Sequence, residues 1–105
     1  MHLPQVDPRE VGDDLLLDVR EPDEWAAGRA PGAVHLPLQQ LPDRIAELPA
    51  DRPVAVVCRM GGRSEQATAF LLQQGFSVRN VAGGMQSWAA LGLPLEGDLH
   101  PPAVI

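Results

Sequence analysis

The chain of 105 residues has one cysteine, no lysine, no tyrosine and four aromatic residues, Trp25, Phe70, Phe76 and Trp88. A single cysteine cannot close an internal disulfide, so packing must hold the fold, and the default compartment is a reducing cytoplasm. All eight basic residues are arginines. Against 14 acidic residues they leave a formal net charge of -6 and no basic patch, which removes nucleic acid from the expected partners. No apolar run approaches the roughly 18 residues of a membrane span. The opening "MHLPQVDPREVGDD" has neither the positive region nor the apolar core of a secretory signal. The expectation is a cytoplasmic protein without a membrane segment. An acidic chain repels anions at long range, so any anion site must be local.

Eleven prolines and ten glycines punctuate short apolar runs. "LLLDV" (15–19) reads as a buried strand. "REPDEWAAG" follows, and Pro22, Asp23 and Glu24 suit the first turn of a short helix over 22–27 that Gly28 ends. "GAVHLP" (32–37) is a second strand between turn signals. Leu38, Leu41, Ile45 and Leu48 recur at helical spacing, with Pro42 near the start of that helix and Pro49 beyond its end. "RPVAVVC" is apolar on both sides, as in the middle of a parallel sheet. "SEQATAFLLQQG" reads as a helix with Ala67, Phe70 and Leu71 inward and Gly75 as its stop. "SVRNVAGG" supplies a strand and "GMQSWAALGLP" a last helix. "PQVDPREV" adds an edge strand and a helical turn, and residues 94–105 form an extended or docked tail. The alternation predicts one α/β domain over 1–105, a mostly parallel sheet with helices on both faces. Ligands of such sheets sit beyond the carboxyl ends of the strands. Cys58 and Asp18 both lie at such ends.

The residues after the central strand are "CRMGGRSEQA". A lone cysteine is most often a small buried hydrophobe. Here Gly61 and Gly62 tolerate unusual backbone angles and leave room for amides to turn inward as an anion nest. The helix beginning near Arg63 aims its positive end at the same place. Arg59 and Arg63 add formal charge. A cysteine at a helix start beside arginines is favoured as its thiolate. Four residues separate Cys58 from Arg63, one fewer than in the protein-phosphatase signature, whose arginine position is occupied here by Ser64. The shorter cradle suits a terminal sulfur better than a tetrahedral phosphate.

Four segments in order, "LLLDVREPDEW", "GRAPGAVHLP", "CRMGGR" and "VAGGMQSWAALGLP", resemble the motifs of single-domain rhodaneses, the thiosulfate sulfurtransferases. The resemblance runs from about Leu15 to Pro94. It implies a rhodanese-like three-layer α/β sandwich with a five-stranded parallel sheet, and Cys58 as the sulfur-carrying nucleophile. The family often has histidine before its Ala-Pro-Gly turn. This chain has Arg29 there, which implies a change in packing or charge beside the pocket.

The mechanism expected is a two-step sulfur transfer through a persulfide on Cys58, with no cofactor and no metal. The amides of Arg59, Met60, Gly61, Gly62 and Arg63 would stabilise the persulfide anion. Arg59 would bind the donor's sulfonate, and Arg63 would brace the loop with Asp18 or Glu21 as its partner. Asp18, Arg20 and Glu21 otherwise form a structural ion-pair cluster. Met60 points out of the loop. Trp25 and Trp88 are packing residues, with Trp25 a candidate border of the pocket. His35 lies in a strand, and one histidine with one cysteine is no metal set. His2 and His100 lie near the termini. The partners expected are a small sulfur donor and a thiol or cyanide acceptor. Other readings are a carrier relaying sulfur between proteins, a phosphatase or arsenate reductase on the same fold, and a silent interaction module.

Overall fold

The computed structural model describes residues 3–105; His2 lies outside them. Five strands form one sheet: β1 (Gln5–Val6), β2 (Leu15–Asp18), β3 (Val34–His35), β4 (Val54–Val57) and β5 (Val78–Val81). Four α-helices accompany them: α1 (Pro22–Ala27), α2 (Leu41–Arg44), α3 (Gly62–Gln73) and α4 (Gly84–Ala90). The spatial order is β1-β5-β4-β2-β3, and every pairing is parallel. This is the α/β sandwich with a five-stranded parallel sheet that the sequence implied.

β4 is central and all four of its residues are buried. Its β-branched residues fill both faces, which only a strand covered above and below can tolerate. On one face Leu15, Leu17, Val54 and Val56 meet Leu41 and Leu48 of the α2 region, and Ala67 and Leu71 of α3. On the other, Leu16, Ala55 and Val57 meet Val11, Met85 and Ala30, with Trp88, Leu95 and Val104 packed against them. The phase alternates along each strand, so one helix layer covers each face.

Two expected elements are reshaped. The helix read across Leu38 to Leu48 is α2 flanked by 3₁₀ turns at Leu38–Gln40 and Ile45–Glu47. Pro42 cannot donate a backbone hydrogen bond, which loosens the start, and Arg44 departs from helical angles at φ -117° and ψ 12°. The periodic face survives: Leu41 and Leu48 are buried, and Leu38 and Ile45 pack beside them. The second strand shrinks from the expected 32–37 to Val34–His35, an edge pairing only with β2.

Residues 94–105 dock. Arg29 and Glu96 exchange backbone hydrogen bonds of 2.8 and 2.9 Å, and the amides of Asp98 and Ala103 donate to the carbonyls of Ala26 and Ala27. Those carbonyls end α1 and would otherwise lack intrahelical donors. No helix among the described residues is long and apolar enough to cross a membrane.

β2 leads outward to β3, whereas β4 leads to β5 on the opposite side. The chain therefore reverses direction between β2 and β4, and a crevice opens at their carboxyl ends. Asp18 pairs in register with Val57, so the segments after Asp18 and after Val57 emerge side by side.

Candidate active site

Cys58 is the first residue after β4 and is 1% exposed. Its Sγ accepts a hydrogen bond from the Gly61 amide at 3.0 Å. Beyond that amide the chain turns into α3 with φ +130° at Gly61, a conformation that side chains rarely allow. Gly62 differs from the sequence reading. It is already the first residue of α3, and a Cβ there would meet open space. The loop's conformational demand therefore falls on Gly61 alone of the pair.

The amides of Arg59, Met60, Gly62, Arg63 and Ser64 find no acceptor among the described residues. Those of Gly62, Arg63 and Ser64 open the first turn of α3, where a helix has no acceptors of its own. Cys58, Arg59, Met60, Gly62 and Arg63 line a shallow cavity of about 270 Å³. A larger cavity of about 410 Å³ lies between residues 7–9 and 82–91, but the cysteine is not among the residues that line it. Chemistry, and not volume, selects the site.

The two loop arginines have different situations. Arg63 donates to both carboxylate oxygens of Glu24, at 2.6 and 3.0 Å. This corrects the expected partnership with Asp18 or Glu21. Glu21 enters through its backbone: its N–H donates to Glu24 Oε1 at 3.0 Å and helps to aim that carboxylate. Asp18 is spoken for elsewhere. Its carboxylate takes Arg20 Nε and Nη2 at 2.8–3.1 Å, and neither side chain has any exposure. Arg20 Nη2 also donates to the Gly28 carbonyl at 2.8 Å. The pair thus ties the end of β2 to the end of α1, and α1 carries Glu24 to Arg63. Asp18, Arg20 and Glu21 position the loop at one remove and do not face the sulfur.

Arg59 is exposed and makes no ion pair among the described residues. Met60 is 61% exposed, as expected for a residue pointing out of the loop.

The sequence reading missed the part Ser64 plays. Its hydroxyl donates to the Gly61 carbonyl at 3.0 Å and lies 3.3 Å from Cys58 Sγ. The side chain is fully buried one turn into α3. A serine on the inward face of that helix was the available signal. Glu24 was also missed, since it read only as a favourable first-turn residue.

The Arg63 hydrogen bonds hold the Glu24 carboxyl below its ordinary value, against a smaller opposing effect of burial. A carboxylate depressed in the folded state contributes stability that is fully present above its unfolded value and is lost as pH falls through the folded one. Wild type should therefore exceed Glu24→Gln in stability by a constant margin above about pH 5. The margin should shrink on acidification below the ordinary value of 4.5. Urea titrations of both proteins across that range check this, and a pH-independent margin would contradict it.

Arg29, where the family often has histidine, lies with its guanidinium 5.0 Å from the Trp25 ring and donates to the Trp25 carbonyl. Trp25 stacks on His35 at 4.7 Å, and His35 Nε2 lies 2.7 Å from the Arg20 carbonyl oxygen. Arg29 therefore caps a packing stack, and neither Trp25 nor His35 lines the Cys58 cavity.

The family model of the Rhodanese-like domain matches residues 6–91. A sulfurtransferase of Allochromatium vinosum is 49% identical over 87 residues, covering 82% of this chain and 81% of that protein. The thiosulfate sulfurtransferase GlpE of Pseudomonas syringae pv. syringae is 42% identical over 81 residues, 76% of each chain. A solved rhodanese-related protein from Thermoplasma volcanium superimposes with TM-score 0.86 at 31% identity, covering 90% of this chain and 99% of that one.

Proposed function

The chain belongs to the rhodanese-like domain family of sulfurtransferases, and from that membership we propose that it moves the outer sulfur of thiosulfate to a thiophilic acceptor through a persulfide on Cys58. The observation that carries this reading is the cradle: a buried Sγ already holding the Gly61 amide, in a loop and helix start whose other amides through Ser64 have no acceptor among the described residues. Such amides stabilise an anion formed at a fixed place, because they are oriented before the charge arrives.

In the first step the Cys58 thiolate attacks the outer sulfur of thiosulfate. An S–S bond forms at Sγ, the bond to the sulfonate sulfur breaks, and its electron pair leaves with sulfite. The negative charge now rests on the outer persulfide sulfur, within reach of the loop amides. In the second step cyanide or a small thiolate attacks that sulfur, and the Cys58 thiolate departs. With cyanide the product is thiocyanate. Charge balances in both steps without a general base. Gly61 N–H stabilises Sγ each time it carries the charge. Two half-reactions sharing one covalent intermediate give ping-pong kinetics.

Two features support sulfur over phosphate. Only four residues separate Cys58 from Arg63. The Arg63 guanidinium is committed to Glu24 at both ends of its fork, so it does not offer the bidentate grip a phosphate would need.

Arg59 is the available cation at the mouth and binds the sulfonate of the donor. Arg59→Ala should raise the thiosulfate KM about 5-fold, the worth of roughly 1 kcal/mol for an exposed charge pair. The KM for cyanide in the second half-reaction should change less. The thiosulfate effect should also shrink as salt is added. Steady-state kinetics at two ionic strengths tests this, and an unchanged thiosulfate KM would remove Arg59 from the role.

A further inference from the structure

The amides that face the sulfur must themselves be held, and α4 supplies the means. Met85 N–H donates to the Cys58 carbonyl at 2.8 Å, and Gln86 N–H donates to the Arg59 carbonyl at 2.9 Å. In a trans peptide the C=O and the following N–H point in opposite directions. Fixing the Cys58 carbonyl against Met85 therefore aims the Arg59 amide the other way. Fixing the Arg59 carbonyl against Gln86 does the same for the Met60 amide. Residues 84–86 do not line the Cys58 cavity, whereas Arg59 and Met60 do. Both amides thus turn away from α4, in the loop whose Gly61 amide already meets Sγ.

This contact depends on one glycine. Gly84 has φ +62°, and a Cβ there would come 2.5 Å from the Cys58 oxygen and 2.6 Å from the Arg59 oxygen. Those are backbone atoms, so the active-site loop would have to shift. We propose that Gly84 is a positioning residue of the sulfur site: its bare backbone lets α4 clamp two loop carbonyls and so aims the Arg59 and Met60 amides at the outer persulfide sulfur. The role rests on the sulfurtransferase reading above.

The test compares Gly84→Ala with Gly75→Ala. Gly75 also has a left-handed backbone, φ +89°, but a Cβ there would meet nothing within 4 Å. Both variants therefore carry backbone strain, and only one presses on the loop. Sulfur loading from thiosulfate, followed by intact mass at a temperature where both are folded, should slow roughly 10-fold or more in Gly84→Ala, since misplaced donors stabilise little. Gly75→Ala should load at the wild-type rate to within about 2-fold. Loading of wild type should shift the Arg59 and Met60 amide proton resonances, and Gly84→Ala should lose those shifts.

If wild type takes up no sulfur, the functional reading fails and this role falls with it. If wild type loads, and Gly84→Ala loads as fast as Gly75→Ala with the amide shifts retained, only the role of Gly84 is overturned. Should Gly84→Ala fail to fold, wild type carries the test. Its Met85 and Gln86 amides should be protected from hydrogen exchange and its Arg59 and Met60 amides should respond to loading. Unprotected or unresponsive amides would overturn the proposal.

Discussion

Asp18→Ala is expected to lower the unfolding free energy by about 3–5 kcal/mol, the cost of leaving one partner of a buried ion pair without the other. Asp18 and Arg20 have no exposed side-chain surface. Removing the carboxylate strands a guanidinium that already has one nitrogen, Nη1, without a partner among the described residues. The Asp18 carboxylate also accepts the Arg20 amide at 3.0 Å, so a backbone donor is orphaned as well. A domain of this length has a total stability of roughly 5–15 kcal/mol, so the variant should be near the edge of folding. Urea unfolding with an unchanged slope and a much lower midpoint is the expected result. A loss under about 1 kcal/mol would show that the pair does not hold the β2–α1 connection. Replacing both partners with apolar residues of similar volume should cost less than the single change, because no charge is then left buried.

Cys58→Ala has the opposite profile. Sulfur transfer should fall roughly 1000-fold or more, to uncatalysed exchange, because no other group on the chain can form the persulfide. Stability should change by only about 1 kcal/mol, near the middle of the range for point substitutions. The lost atom makes hydrogen bonds to the Gly61 amide and the Ser64 hydroxyl, and the hydroxyl keeps its bond to the Gly61 carbonyl. A folded but inactive variant separates the chemistry of the thiol from its packing. Residual activity above a tenth of wild type would move the nucleophile elsewhere.

Much of this architecture was legible in the sequence because burial on both faces leaves a strong mark. Val54 to Val57 read as a central strand, and that places Cys58 at a carboxyl edge. The four motifs fixed the order of elements and the identity of the loop. Long-range side-chain pairing was less legible. Arg63 reaches Glu24 across 39 positions, and several nearby acids were equally plausible by charge alone. Only the path of α1, set by the buried Asp18–Arg20 pair, decides among them. The Ser64 contact was hidden for a related reason. It depends on the loop turning at Gly61 so that the first turn of α3 returns to the sulfur. The close approach of Gly84 to the Cys58 and Arg59 carbonyls was equally invisible, since glycine at a helix start reads as a turn residue whatever lies across from it. The broken helix around Pro42 shows the complementary limit. Apolar periodicity predicts which side chains are inside but not whether every backbone hydrogen bond is helical.

The central claim is that Cys58 accepts one sulfur atom and hands it on. Intact mass of the protein after incubation with thiosulfate and removal of excess donor tests it most directly. Wild type should gain the mass of a single sulfur with one equivalent of sulfite released, and cyanide should remove it as thiocyanate; Cys58→Ala should show neither change. Wild type without the adduct, or an equal adduct on Cys58→Ala, would contradict the account.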